Sequence, residues 1–378
     1  MIIMRSIITS RGAAYLRASL LLVLWCWVDC SRGESAKDVV SGQGSWKYRF
    51  RPDLAALPMD ERGNDLNGHG LAFSPTDGSF YFTFQPANVT ASTRALVHFE
   101  ADGSGGAMLG VPGIDGLSSG VPHGLRLEDD GGKLFLYHAN NAQKITKTAA
   151  ETGEIVWTAD LTHWNQAYPQ YWPVKPTQAI VVPGTDILLV ADGYGSSFVH
   201  AFNKTNGQFL EGRSFGGKGN STSPLRFNTP HGINEDARRP GLLVVSDRSN
   251  NRLVWITPDG KYVDHASTAT PTGMSLPCNV ATHEDTHDGI VAVVPSLGNS
   301  YTDLSNGTVA IYGPRQTLLS TIEVAKKIGS LGHQHPHDAI ILHNGDIVIC
   351  CWSGPPNPGQ GPAKGTISYW ERLPSSSS

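Results

Sequence analysis

Cysteine is scarce in this 378-residue chain: of five, only Cys278, Cys350 and Cys351 lie beyond residue 30, and three thiols cannot all pair within one chain. A disulfide-stapled scaffold is thereby excluded. Cys350 and Cys351 are neighbours in a strand-like run, where adjacent side chains point to opposite faces, and one of them is expected to face the core as an inert thiol. Apolar residues at helical spacing are almost missing, the best helical stretch being Lys326 to Leu331, too short to organise a domain. The chain has no basic run and no interleaving of aromatic with basic residues. With 29 Lys+Arg against 33 Asp+Glu, the formal charge of −4 gives no footing for nucleic acid. The one long hydrophobic run, Ala18 to Val28, falls well short of the ~20 residues that span a bilayer, so no stable membrane span is expected.

Forty-two glycines and twenty-four prolines are there instead, the punctuation of an all-β chain. A short phrase returns six times, at Gly68-His69-Gly70-Leu71, Pro122-His123-Gly124-Leu125, Pro176-Thr177-Gln178-Ala179, Pro230-His231-Gly232-Ile233, Pro277-Cys278-Asn279-Val280 and Pro336-His337-Asp338-Ala339. Its second residues are 54, 54, 54, 47 and 59 positions apart, a period of the size that marks a solenoid or propeller. After each phrase come further strands, such as Lys133 to Tyr137 and then Phe198 to Phe202 or Arg252 to Ile256, often ending in Asp-Gly or Asn-Gly turns. Three or four strands per period and six periods predict a six-bladed β-propeller. The sixth period offers only three strands, whereas Trp46, Tyr48 and Phe50 alternate in a lone strand near the start. A strand near residues 45–50 is therefore expected to complete the last blade and remove the open edge.

Arg5, Arg11 and Arg17 ahead of the apolar run, with small and polar residues after it, have the layout of a secretory signal peptide. The expected organisation is a signal peptide at 1–33, an N-terminal segment with the closing strand at 34–60, the propeller at 61–373 and a disordered tail at 374–378. A secreted monomer agrees with four glycosylation sequons, at Asn88, Asn203, Asn220 and Asn306.

Alternate blades of a six-fold ring lie about 120° apart, so His123, His231 and His337, in one column of the repeat, should converge on the axis. Three imidazoles meeting there predict a zinc site with a fourth position for water or substrate. The intervening blades offer His69, Thr177 and Cys278. His283, His287, His333, His335 and His343 lack the periodic placement and read as loop residues, with His335 near enough to the axis to support the ligands.

Asp192-Gly193-Tyr194-Gly195-Ser196-Ser197, Asn228-Thr229-Pro230-His231-Gly232-Ile233, the run from Val245 to Leu253 and Pro336-His337-Asp338 resemble the NHL-repeat propellers, and within them the peptidyl-α-hydroxyglycine α-amidating lyases. The resemblance covers residues 60 to 373 and is strongest from 175 to 260. It implies zinc on His123, His231 and His337, and calcium lower in the channel on Asp338 and the carbonyls of Leu125 and Leu71. It implies further that Tyr194 is the base acting on the substrate hydroxyl and that Arg248 holds the carboxylate. The reaction so implied releases glyoxylate from a C-terminal α-hydroxyglycine and leaves a peptide amide, the substrate being a peptide C-terminus or a related small molecule.

Two departures weigh against that reaction. The family's second carboxylate-binding arginine falls where this chain has Gln85, and an amide cannot make the bidentate charged pair. The cysteine that follows the tyrosine in animal lyases is here Gly195. The rival reading is a non-catalytic extracellular propeller that binds a protein or glycan, with a structural metal in its channel.

Overall fold

Each period of the repeat folds into one small antiparallel sheet. The computed structural model describes residues 38–374 except 59–64, 88, 91, 111–116, 118–119, 270–273, 299–303, 305–306 and 353–366. The signal peptide expected at 1–33, the sequons at Asn88 and Asn306 and residues 375–378 lie outside the described residues. Blade 1 begins on Asp65–Phe73, blade 2 on Pro122–Asp129, blade 3 on Gln178–Val181, blade 4 on Pro230–Glu235, blade 5 on Ala281–Asp285 and blade 6 on His335–Ile341. Five sheets have four strands, and the sixth has five. Each innermost strand packs on that of the next blade, and that of blade 6 packs on that of blade 1, so the ring closes. Among the described residues, no helix is long and apolar enough to cross a membrane.

Closure uses the early strand, as the sequence predicts. Trp46–Arg51 pairs antiparallel with Ile367–Arg372, with Tyr48 opposite Arg372 and Phe50 opposite Trp370. A further strand not anticipated, Val40–Gln43, lies outside it and reaches blade 5, where Ser320 Oγ accepts from the Gln43 amide at 2.8 Å. Trp46 is locked at this seam. Its indole nitrogen donates to Asp288 at 2.7 Å, and the Arg372 guanidinium stacks on its ring at 3.8 Å.

The core is divided among the interfaces between adjacent blades. A blade sandwiched by two neighbours buries both faces, and this corrects the expectation for the cysteine pair. Cys351 packs into the interface of blades 5 and 6, and Cys350 into that of blades 6 and 1, so both thiols face a core rather than one. The predicted helix also shifts: the turn runs Val324–Ile328 and stops at Gly329, whose φ of 74° is open to glycine and strained for other residues.

Candidate metal centre and active site

The repeat phrase opens the innermost strand of each blade and so lines the axis. In the four blades that carry histidine there, strand pairing slips by a bulge at that position: between Gly68 and Gly70, Pro122 and Leu125, Pro230 and Gly232, and Pro336 and Asp338. The innermost strands of blades 3 and 5, which follow Thr177 and Cys278, pair without a shift. A bulge re-aims the residue it carries. Here it accompanies four imidazoles gathered at the hub: His123, His231 and His337 have ring centroids 4.6 to 4.8 Å apart, and His69 lies 4.9 Å from His123 and 4.7 Å from His337. All four are at most 4 % exposed.

The glycine after the histidine completes the device. A Cβ on Gly124 would sit 2.3 Å from the Thr177 carbonyl oxygen, and one on Gly232 would sit 2.5 Å from that of Cys278. Only glycine lets the next blade come so close. Those same carbonyls hold the rings, since His123 Nδ1 meets Thr177 O at 2.6 Å and His231 Nδ1 meets Cys278 O at 3.0 Å. His337 Nδ1 meets His69 O at 2.9 Å in the same manner. With Nδ1–H donating to a carbonyl, Nε2 is left with its lone pair toward the axis, the tautomer a metal needs.

Burial, reinforced by neighbouring imidazoles and by Arg248, holds His123, His231 and His337 well below the ordinary histidine pKa. His69 is pushed down to about 3, again mainly by burial. Neutral imidazoles are the ligating form. Nε2 of His337 is buried without a hydrogen-bond partner and the His69 ring has only the Gln85 side chain beside it, and a void of about 10 Å³, close to the room one water or ion takes, is lined by the four rings together with Gln178, Asn279 and Asp338. Orphaned neutral nitrogens around an ion-sized space fit zinc, whose favoured ligands include imidazole. Among the described residues, the potential ligand atoms of His69, His123 and His337 all lie within 4.8 Å of one another. His69, which the sequence places at the axis on an intervening blade but outside the ligand triad, thus joins the cluster, because the three-fold symmetry of alternate blades points only to the other three. Its signal was the shared column of the repeat.

Tyr194 stands over this cluster, half-buried. Its hydroxyl is 3.1 Å from His231 Nε2 and 3.4 Å from His123 Nε2, and it accepts from Arg248 Nη1 at 2.9 Å. The turn that carries it is built on the buried Asp192, whose carboxylate accepts from the Lys175 and Ser196 amides and from the Ser196 hydroxyl at 2.5 to 2.6 Å. A Cβ at Gly195 would fall 2.2 Å from that carboxylate, so this turn has no room for the cysteine of the animal lyases. Arg248 follows the corresponding turn of blade 4. There Asp247 is taken by Arg252 at 2.7 Å, and Arg248 is left to face Tyr194. Thr229, a β-branched residue at φ 64°, accepts the Arg248 amide at 3.0 Å, local strain beside the site.

Below the histidines a hydrogen-bonded bridge crosses the hub. Arg126 donates to Asn234 at 3.1 Å, Asn234 to Asn279 at 2.5 Å, and Asn279 to Asp338 at 2.7 Å, while the Leu71 and Ala339 amides donate to the same carboxylate at 2.9 Å. Asp338, raised to about 7 by burial, is satisfied by protein donors, and it is the N–H of Leu71 that meets it. Leu125 is buried on the blade 2 strand and, with Leu71 and Arg126, lines a separate cavity of about 480 Å³ beyond the bridge.

Gln85, where the resemblance calls for an arginine, accepts from Asn67 at 3.2 Å and bears on His69 through its side chain. His335 bonds Leu297 O at 2.6 Å and packs against Trp352. Of the sequons described, Asn220 is exposed and Asn203 half-buried.

No protein-family model matches the chain. Among solved structures, it is similar to one of streptogramin B lyase, at 13 % identity and a TM-score of 0.47, covering 82 % of this chain and 94 % of that one. It is similar also to a protein of unknown function from Bacteroides caccae, at 12 % identity and a TM-score of 0.46, over 75 % and 87 % of the two chains.

Proposed function

We propose that the chain is a secreted zinc-dependent lyase that splits a C-terminal α-hydroxyglycine into glyoxylate and a peptide amide. One observation carries this reading: the Tyr194 hydroxyl is at once within hydrogen-bond reach of His123 and His231 and of the Arg248 guanidinium. A proton-transfer group, a carboxylate receptor and a cluster of neutral imidazoles thus share one spot. The substrate enters from the side of Tyr194 and Arg248, both half-buried, because the histidines beneath are sealed.

His123, His231 and His337 would hold the ion through Nε2. When bound, zinc supplies Lewis-acid stabilisation of negative charge on the substrate oxygens. Arg248 pairs with the substrate carboxylate. Tyr194, as phenolate, takes the hydroxyl proton; the O–H electron pair becomes the new C=O bond, the C–N bond breaks, and its electrons leave on the amide nitrogen. Tyr194 passes the proton to that nitrogen, which balances the step. Asp338 serves in this reading as a buried acceptor beneath the ion, and a calcium on it and on the Leu71 and Leu125 carbonyls stays part of the proposal. Secretion and glycosylation at Asn88, Asn203, Asn220 and Asn306 belong to the same reading, supported by the charged and apolar layout of residues 1–33.

The purified protein, analysed for metal and incubated with a hydroxyglycine-extended peptide, should carry one zinc and release glyoxylate. Zinc without glyoxylate would favour the second reading, a non-catalytic propeller with a structural ion, which Gln85 in place of an arginine supports.

A further inference from the structure

Three of the four axial histidines are anchored and one is not. His123, His231 and His337 each meet a backbone carbonyl through Nδ1 at 2.6, 3.0 and 2.9 Å. His69 makes no such bond, although it occupies the same column and the same bulge. The carbonyl that would serve it, that of His123, is close to its strand, 2.3 Å from where a Cβ on Gly70 would lie. The His69 ring is turned instead into the cluster, edge-on to His337 at 85° and tilted on His123 at 35°. Its polar neighbour is Gln85, whose amide oxygen accepts from Asn67 and also bears on the ring.

We propose that His69 is a fourth, exchangeable ligand of the axial ion: it ligates at rest and gives way to the substrate. This rests on the metal reading of the hub given above. The potential ligand atoms of His69, His123 and His337 lie within 4.8 Å of one another, so a closing of less than about 1 Å per ring brings them to the ~2.0–2.1 Å of a zinc–imidazole bond. Ligation also accounts for a buried ring that no backbone carbonyl anchors and that has only the Gln85 side chain beside it. Four imidazoles fill a tetrahedral site, which a catalytic zinc leaves with one position open. An α-hydroxy carboxylate must then displace one of them. His69 is the ring whose departure breaks no hydrogen bond to the backbone, whereas loss of any other frees a Thr177, Cys278 or His69 carbonyl. The fourth histidine therefore acts as a plug that the substrate removes, and it lowers apparent affinity by the fraction of time it is bound.

Cobalt(II) is the probe, loaded into the purified full chain and into His69→Ala, with X-ray absorption counting imidazoles and visible absorption reporting coordination. The wild type should show four imidazoles and the intense bands of a tetrahedral ion, and His69→Ala three. Glycolate, a minimal α-hydroxy acid, should convert the wild-type spectrum toward three imidazoles and should bind His69→Ala at least about tenfold more tightly. A wild type with three imidazoles, or a glycolate titration that leaves the count at four, overturns the proposal; both use wild-type protein alone, so misfolding of the variant cannot shield it. Absence of cobalt uptake by folded protein overturns it together with the metal reading. Four imidazoles, displaced by glycolate, in a protein that releases no glyoxylate would sink the lyase and leave His69 as the exchangeable ligand.

Discussion

Arg248 Nη1 donates to the Tyr194 hydroxyl at 2.9 Å while its guanidinium lies 4.9 Å from the centre of the same ring. The two residues come from turns 54 positions apart in sequence, each built on a buried aspartate. Tyr194→Phe keeps the ring and removes the proton acceptor. Turnover on a hydroxyglycine peptide should fall by roughly 10²- to 10⁴-fold with KM little changed. Zinc content, measured on the same preparation, should stay at the wild-type level. Unchanged turnover would remove Tyr194 from the chemistry.

The ring is held shut by a strand from the other end of the chain, so its weakest seam should respond to Trp46. The side chain is 1 % exposed, bonded to Asp288 and stacked on Arg372. Trp46→Ala should cost about 3 to 5 kcal/mol of unfolding free energy, read from chemical denaturation. An exposed counterpart on the same strand, Lys47→Ala, should lie within about 0.5 kcal/mol of wild type.

The architecture was legible because the phrase with proline and histidine marks the start of every innermost strand, and a near-constant period needs no knowledge of contacts. The closing strand was legible too, since Trp46, Tyr48 and Phe50 alternate and the sixth period is one strand short. Val40–Gln43 was not, because its residues carry no alternation and its place is set by hydrogen bonds to Ser320 and Thr321 across the neighbouring blade. Likewise Cys350 and Cys351 could not be sorted by a rule that assumes one wet face, as both faces of a blade are buried. At the site, sequence found the column but not the tilt of each ring. The carbonyl that anchors His123 belongs to the next blade, 54 residues away, and that His69 goes without one is decided by the packing of blades rather than by the repeat.

Acid should destabilise the protein through a histidine outside the axial cluster. His138, on the second strand of blade 2, is buried beside Thr148, and burial lowers its pKa to about 3. The unfolded chain takes up a proton near pH 6.5 and the folded one resists until about pH 3, so the unfolded state binds more protons across that window. Stability is therefore complete above pH 6.5 and falls as pH drops toward 3, by on the order of 3 kcal/mol at pH 4 from this residue. His138→Asn should flatten the acid limb of a plot of Tm against pH. An unaltered slope would assign the acid sensitivity to other groups.

Gln85→Arg should act in two opposed directions. It puts a guanidinium where the resemblance calls for one, and under the proposed reaction that charge would meet the substrate carboxylate, where a charge-assisted pair is roughly twice as strong as neutral hydrogen bonds. The KM for a hydroxyglycine peptide should therefore fall. The same charge stands next to His69, on which Gln85 now bears, and two like charges a few ångströms apart repel at a cost that burial raises. Zinc affinity, measured by competition with a chelator, should weaken, most at low ionic strength. A variant with tighter substrate binding and looser zinc would place position 85 between the two; a change in neither would show that this side chain faces neither the ion nor the substrate.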